Sequence, residues 1–418
     1  MSSRFQAPKG TFDVLPEAAA QRARLEEAAR SLFERAGYGR IETPIFEDTE
    51  LFERGVGQST DIVNKEMFTF EDKAGRSVTL RPEATAPICR AYVEHGMHRL
   101  PQPVKLWCIG PFFRHERPQA GRFRQFSQID AEAIGTDSPL ADAELIKLLD
   151  DLLRELGVPE VELRLGSLGS LGTRARYLEE LKEYLRSHEA DLSREVRERI
   201  DLNPLRAFDA DHEGTRAVMA EAPKLIDRLD DDDAAHFEQV RSLLDEGGVS
   251  YSIDPSLVRG LDYYTRTIFS FVCGGLGAQS EVAGGGRYDG LVEQLGGPPT
   301  PAIGWAAGIE RILLAVAERP PASSRDVFVA VAAPEQRPRA LAIASQLREA
   351  GLAAETDLAD RSLKGQIRQA DRVGARRTLI LEADGQAQLR DMQSGEQRAI
   401  DPAHAVAELA AGREGEGG

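Results

Sequence analysis

Cysteine is scarce in this chain: three residues in 418, at Cys89, Cys108 and Cys273. An odd number at wide spacing gives neither a disulfide framework nor a CxxC metal pair, and it fits a reducing compartment. Long apolar runs are missing too. The longest, such as Ile312 to Ala317, fall far short of the roughly 20 residues that cross a bilayer. The opening MSSRFQAPKG has no apolar stretch of the kind that marks a secretory signal. These absences set the expectation of a cytoplasmic protein with no membrane partner. Basic residues are outnumbered as well, 52 Lys and Arg against 69 Asp and Glu, for a net charge of −17. That deficit excludes a nucleic-acid-binding surface spread over the whole molecule, because phosphate contacts need Lys and Arg.

What is present describes a globular enzyme-sized chain, 41% apolar and 29% charged. Its length exceeds one ordinary core and suits two or three domains. The charge is unevenly distributed. Residues 201–255 hold 14 acidic and 5 basic side chains, whereas Arg114, Arg117, Arg122 and Arg124 cluster against Glu116 alone. Segment 325–398 is nearly balanced, with 12 basic and 11 acidic residues. An acidic body with local basic patches remains compatible with RNA, although charge alone favours a plain solvated acidic face.

Periodicity organises the chain. A helix is expected after Pro16, where Leu25, Ala28, Ala29, Leu32, Phe33 and Ala36 recur at helical spacing up to Gly37. Residues 104–134 read as two strands around an arginine-rich loop. In the second strand, alternation puts Phe126, Gln128, Asp130 and Glu132 on one face and Ile129, Ala131 and Ala133 on the other. Such a strand either lines a pocket or forms a sheet edge with a wet face, and the pattern alone does not choose. Residues 170–255 are helical and dense in charge, and are expected to form an insertion. After Val258 the chain turns β-like and glycine-rich, and a helix with Ile309, Ile312, Leu313 and Val316 on its buried side leaves Arg311 off the stripe. A proline-bearing linker spans Ala315 to Arg325. The last ~90 residues alternate strand and helix and end in a hairpin turning at Ser394 and Gly395, which argues an α/β unit. Residues 412–418 are expected to be disordered.

Four segments carry chemistry: TLRPEATAP from Thr79, FRHERPQAGRFRQFSQIDAE from Phe113, RGLDYYTRT from Arg259, and GGGRYDG from Gly284 followed by GIER from Gly308. Each has an ordinary reading. Triple glycine is weak evidence for a phosphate loop and is read here as a tight turn. Arginines are mostly solvated, and tyrosine pairs are commonly packing. His95 and His98 lack a third ligand at useful spacing, so no metal site is expected.

In this order, the segments resemble those of the histidyl-tRNA synthetases over nearly the whole chain. PKGTFDVLP, GYGRIETPIFEDTELF and TDIVNKEMFTF are similar to the N-terminal third of that family. GPFFRHERPQAGRFRQFSQ resembles motif 2 and AIGWAAGIERILL motif 3 of class II aminoacyl-tRNA synthetases. RGLDYYTRTIF and GGGRYDG are similar to the histidine-specific segments. The resemblance implies an α+β fold: a catalytic domain over 1–320 with an antiparallel sheet and a helical insertion near 170–255, then an anticodon-binding α/β domain over 325–411. It also implies a homodimer.

The implied activity is activation of L-histidine with ATP, followed by transfer to tRNA-His. A carboxylate attacks the α-phosphate and pyrophosphate leaves; the nucleophile is already ionised at neutral pH, so arginines and Mg2+ matter more than a general base. By resemblance, Arg114 clamps the α-phosphate, Arg259 approaches the reacting groups from the other side, and Arg311 binds the γ-phosphate. Glu83, Thr85 and Gln128 surround the α-amino group; Glu132, Tyr264 and Tyr288 surround the imidazole, with Tyr263 close by. Arg117, Gln119 and Arg122 reach the acceptor end of the RNA. Arg361, Lys364, Arg368, Arg372, Arg376 and Arg377 are the expected phosphate contacts of the C-terminal domain.

Ser127 departs from the family pattern, in which His is as frequent, but alternation turns it away from the pocket. Two rivals follow from the same resemblance. One is a regulatory paralogue serving the ATP phosphoribosyltransferase of histidine biosynthesis; the other is a synthetase for proline or threonine. The RGLDYY segment and the C-terminal domain oppose the first, and the histidine-specific segments oppose the second.

Overall fold

The computed structural model describes residues 5–57, 60–316 and 325–414. The chain divides into two compact units, Met1–Glu318 and Arg319–Gly418, and the middle of the linker, residues 317–324, lies outside the described residues.

In the first unit, helix α1 (Pro16–Arg35) starts on a proline, whose fixed φ suits a first turn. It buries Leu25, Ala29, Leu32 and Phe33 along one stripe, as the periodicity requires. Six long strands form the body of the sheet: β1 (Val104–Phe113), β2 (Gln125–Ile134), β3 (Val161–Ser167), β4 (Thr265–Cys273), β5 (Glu281–Arg287) and β6 (Ala302–Gly308). They lie in the order β1-β2-β6-β5-β4-β3, and every neighbouring pair is antiparallel. Two-residue strands, Gly39–Arg40 and Ser252–Ile253, add a parallel partner at each edge.

The two faces of this sheet serve different ends. Helices α2 (Thr85–Glu94), α3 (Pro139–Glu155), α4 (Leu171–Ser187), α5 (Asp231–Glu246) and α6 (Ile309–Ala315) complete the larger helical elements. On one face α1, α3, α5 and α6 build the main apolar core, where Phe33, Leu149, Phe237 and Phe269 meet Ile129, Ala131 and Ala133 of β2. Leu145, Leu149 and Leu152 of α3 are fully buried there, and each such side chain contributes about 1.5–3 kcal/mol through lost water contact. The opposite face of β2 carries Phe126, Gln128 and Asp130 into a cavity. The alternation in the sequence thus resolves in favour of a pocket wall, and the wet-edge alternative falls because β2 pairs on both sides.

The charge-rich insertion has its own small core, in which Tyr177, Leu181 and Leu185 of α4 meet Val196, Val218 and Met219. Helix α5, within the stretch read as insertion, instead gives Phe237, Val240 and Leu244 to the main core. Entry and exit of the insertion are tied together: Asp233 Oδ2 accepts hydrogen bonds from Ser170 N (2.7 Å) and Thr173 Oγ1 (2.8 Å), and its Oδ1 accepts one from Arg266 Nε (3.0 Å).

The second unit has a five-stranded mixed sheet of β7 (Arg325–Val331), β8 (Ala354–Thr356), β9 (Ala375–Leu381), β10 (Ala387–Asp391) and β11 (Gln397–Ile400). Its order is β8-β7-β9-β10-β11, parallel across the first three strands and antiparallel beyond. Helix α7 (Arg337–Glu349) covers one face through Ile343, Ala344 and Leu347, and α8 (Leu363–Arg372) covers the other through Ala370. A final helix, α9 (Ala405–Glu414), has no counterpart in the sequence reading. It buries Ala405 and Leu409 and runs three residues into the tail expected to be disordered, because an alanine-rich stretch extends a helix readily. Residues 415–418 lie outside the described residues.

Candidate active site

The cavity beside β2 has a volume of about 550 Å³. Of the five arginines that line it, three come from the segments expected to hold ATP and the reacting groups. Arg114 leaves the end of β1; its Nε donates to the Pro82 carbonyl at 2.9 Å, and its guanidinium lies 5.4 Å from the Phe126 ring centroid. Arg259 precedes β4 and donates from Nη1 to Glu281 Oε1 at 2.7 Å, while its Nε has no partner. Burial alone would weaken the cationic form of Arg259, but the Glu281 carboxylate and the Tyr264 hydroxyl outweigh it, so the group is held firmly protonated. Arg311, on α6, donates to the carbonyls of Gly121 (3.1 Å) and Glu281 (2.7 Å), and burial lowers its pKa. Main-chain carbonyls orient a guanidinium without neutralising it. The cavity therefore offers aimed positive charge, which is the means of holding an anion.

Its inner end is polar and tightly bonded. Glu83 accepts from the backbone N–H groups of Thr85 (2.8 Å) and Ala86 (3.0 Å) at the start of α2. Burial raises the Glu83 pKa against those bonds. Thr85 Oγ1 donates to Glu132 Oε1 at 2.7 Å, and the Tyr288 hydroxyl donates to Glu132 Oε2 at 2.5 Å. Glu132 is 1% exposed and stands behind the cavity wall, acting on it through Thr85 and Tyr288. Burial pushes its carboxyl well above the usual range. The rings of Tyr263 and Tyr264 lie 4.8 Å apart, and those of Tyr263 and Tyr288 lie 5.7 Å apart. Gln128 Oε1 is buried with no donor facing it.

The triple glycine read as a turn is instead the middle of strand β5. A Cβ on Gly284 would lie 2.5 Å from Arg259 Nη1, and one on Gly304 would lie 1.5 Å from Glu132 Oε2. These glycines allow charged side chains to press flat on the sheet. Composition cannot distinguish that need from a turn.

Of the remaining expected residues, Arg122 lines the cavity and pairs with Glu116 at 2.8 Å. Arg117 and Gln119 do not line it; both are exposed on the loop between β1 and β2. Ser127 faces away, with its hydroxyl accepting from Arg22 Nη2 at 2.8 Å. Two features escaped the sequence reading. Arg287 is fully buried, ion-paired to Asp142 at 2.6 Å and bonded to the carbonyls of Thr136 and Ser138, which fixes the chain just before Tyr288. Asp130, noted only for its face of the strand, lines the cavity at 1% exposure. Among the described residues, no group of three or more His, Cys, Asp or Glu side chains is placed to hold a metal ion. The three cysteines are free and buried, and no described helix is long and apolar enough to cross a membrane.

Known proteins match the chain along nearly its whole length. A family model described as histidyl-tRNA synthetase matches residues 10–312, and one described as an anticodon binding domain matches residues 326–411. A histidine–tRNA ligase of Rubrobacter xylanophilus is 48% identical over 409 residues, spanning 95% of this chain and 96% of that one. One of Thermosynechococcus vestitus is 48% identical over 401 residues, spanning 94% and 93%. The crystal structure of apo S. aureus histidyl-tRNA synthetase aligns with a TM-score of 0.83 at 34% identity, covering 97% of this chain and all of that one. A Bacillus halodurans protein described as an ATP phosphoribosyltransferase regulatory subunit/histidyl-tRNA synthetase, at 23% identity and a TM-score of 0.66, shares the fold. With an α+β catalytic unit, arginines converging on one cavity and relatives matched along nearly their full length, the chain belongs to the histidyl-tRNA synthetase family.

Proposed function

We propose that the protein is a histidine–tRNA ligase, which joins L-histidine to ATP as histidyl-adenylate and then transfers the histidyl group to tRNA-His, releasing AMP and pyrophosphate. The observation that carries this reading is the convergence of Arg114, Arg259 and Arg311 on a cavity whose inner end is lined by carboxyl, amide and tyrosyl groups. In the activation step the histidine carboxylate attacks the α-phosphate, the bond to the bridging oxygen breaks, and pyrophosphate departs with the electron pair. Arg114 and Arg259 hold the two anions together and stabilise the charge that builds between them, and Arg311 holds the γ-phosphate end. Glu83 and Gln128 receive the α-ammonium. The imidazole lies against Tyr263, Tyr264 and Tyr288, whose hydroxyl is held by Glu132. A site that pairs both ring nitrogens rejects analogues lacking them.

Mg2+ enters this reading as part of the nucleotide complex. Such a cation keeps several waters and takes one or two carboxylates plus phosphate oxygens, so no cage of protein ligands is required. Glu116 and Glu281 are among the carboxylates on the cavity wall that would take it. When bound, it neutralises the charge of the leaving pyrophosphate.

Arg117, Gln119 and Arg122 would meet the acceptor end of the RNA, and the exposed basic face of α8 would meet the anticodon stem-loop. Exposed Ile45, Phe46 and Phe70, around a small sheet of Phe46–Asp48, Phe68–Glu71 and Ser77–Leu80, support a homodimer built on this surface. The compartment is the cytoplasm.

Amino-acid-dependent ATP–pyrophosphate exchange, run with each of the standard amino acids, is the direct test. Exchange with histidine alone is expected. Exchange with proline or threonine, or with none, would replace this reading by another synthetase or by the regulatory paralogue.

A further inference from the structure

We infer that Asp130 is a specificity-determining residue of the histidine site, supplying a further negative charge to the substrate's α-ammonium. The inference rests on the ligase reading above and refines how that site recognises its substrate.

Asp130 sits on β2 between Gln128 and Glu132, and alternation turns all three to the same side. It is 1% exposed and yet lines the cavity. A carboxyl so placed normally has a cationic or multiply bonded partner, because burying an unpaired charge is costly. Here the only group bonded to it among the described residues is the Cys108 thiol, which donates to Oδ2 at 3.7 Å; Oδ1 accepts nothing. The Arg81 charge acts to lower the Asp130 carboxyl, but Arg81 makes no ion pair with it; its Nε and Nη1 are bonded to the carbonyls of Pro111 and Thr43 and to the Thr43 hydroxyl. Gln128 Oε1, two residues along the same face, is likewise buried without a donor.

These two acceptors and Glu83 therefore need a ligand that brings several N–H donors and a positive charge. An α-ammonium has three donors and one charge. A neutral imidazole has one N–H and no charge, and the tyrosines already furnish its surroundings. Burial and the neighbouring Glu83 raise the Asp130 carboxyl well above its usual range; a bound ammonium would favour its ionised form. A purely structural Asp130, bonded to Cys108 and indifferent to substrate, is the competing account.

The test compares two inhibitors that differ only in the ammonium: histidinol, and imidazolepropanol, the same molecule without its amino group. Both are titrated against histidine-dependent ATP–pyrophosphate exchange. In Asp130→Asn, histidinol binding and the histidine KM should each weaken by about tenfold or more, the scale of a hydrogen bond to a charged group, while imidazolepropanol binding stays within about twofold. Equal weakening of both inhibitors, or of neither, overturns the inference. Should the Asn variant fail to fold, Asp130→Ser supplies the same comparison. In the unaltered protein, equal affinity for the two inhibitors overturns the inference independently. Absence of histidine-dependent exchange in the unaltered protein sinks the ligase reading instead, so the two failures are distinct.

Discussion

The two units of the chain use positive charge in opposite ways. In the first, Arg114 and Arg311 are moored by main-chain carbonyls and Arg259 by Glu281, so that guanidinium groups from three separate segments share one cavity. In the second, Lys364, Arg368 and Arg372 recur every fourth residue along α8 and are exposed to water, while Arg361 pairs with Asp357 at 2.6 Å on the surface. A moored guanidinium has already lost its rotamer freedom and points where charge will develop. An exposed one gives a diffuse attraction that salt weakens. On the proposed reading, the difference separates catalysis from docking within one polypeptide.

The largest expected effect strikes the moored side. Arg259→Gln should lower histidine-dependent ATP–pyrophosphate exchange by about a hundred- to a thousandfold, the scale for losing one preorganised donor. An unchanged exchange rate would erase the contrast between the units. Next comes Gly304→Ala, whose methyl would collide with Glu132 and with the Ala131 carbonyl. A loss of about 1–3 kcal/mol is expected from such overpacking, read as a fall in the thermal midpoint together with a raised histidine KM; the matching change at exposed Gly275, where a methyl would meet nothing within 4 Å, should do neither.

A third expectation concerns pH. The Glu132 carboxyl is raised by burial, so the folded chain keeps a proton that the unfolded chain sheds. That contribution is complete below the ordinary carboxylate range and is lost as pH rises through the folded value. The thermal midpoint of the unaltered protein should therefore decline, relative to Glu132→Gln, as pH rises above the ordinary carboxylate range. Parallel curves would remove Glu132 from the account. The smallest effect belongs to the exposed side. Lys364→Ala combined with Arg368→Ala should weaken tRNA charging by a few-fold and flatten its salt dependence by about one unit of slope per lost phosphate contact. Exchange without RNA should not change.

Much of this was legible in the sequence, for identifiable reasons. The two-residue period put Phe126, Gln128 and Asp130 on one face, because a strand sends alternate side chains to opposite faces; pairing on both sides of the strand made that face a cavity wall rather than a wet edge. The stripe of Ile309 and Ile312 left Arg311 free to turn toward that wall. Other parts depend on contacts between distant segments, which no local pattern encodes. Gly284 leaves room for Arg259, a side chain remote in the chain, so its purpose could not be told from that of a turn. Arg287 looked like one more motif arginine, yet it is sealed against Asp142. Asp130 was visible as a polar face but not as a group short of partners, since a missing partner is a property of the folded surroundings.

The bond between Ser170 and Asp233 has a consequence for the history of the molecule. A segment that leaves and rejoins its host at one doorway can lengthen, shrink or change its surface while the host sheet keeps its register. Residues 201–229, on the insertion side, have room to follow the RNA or the solvent they meet, whereas helix α5 and the residues on the host side of that doorway answer to the main core.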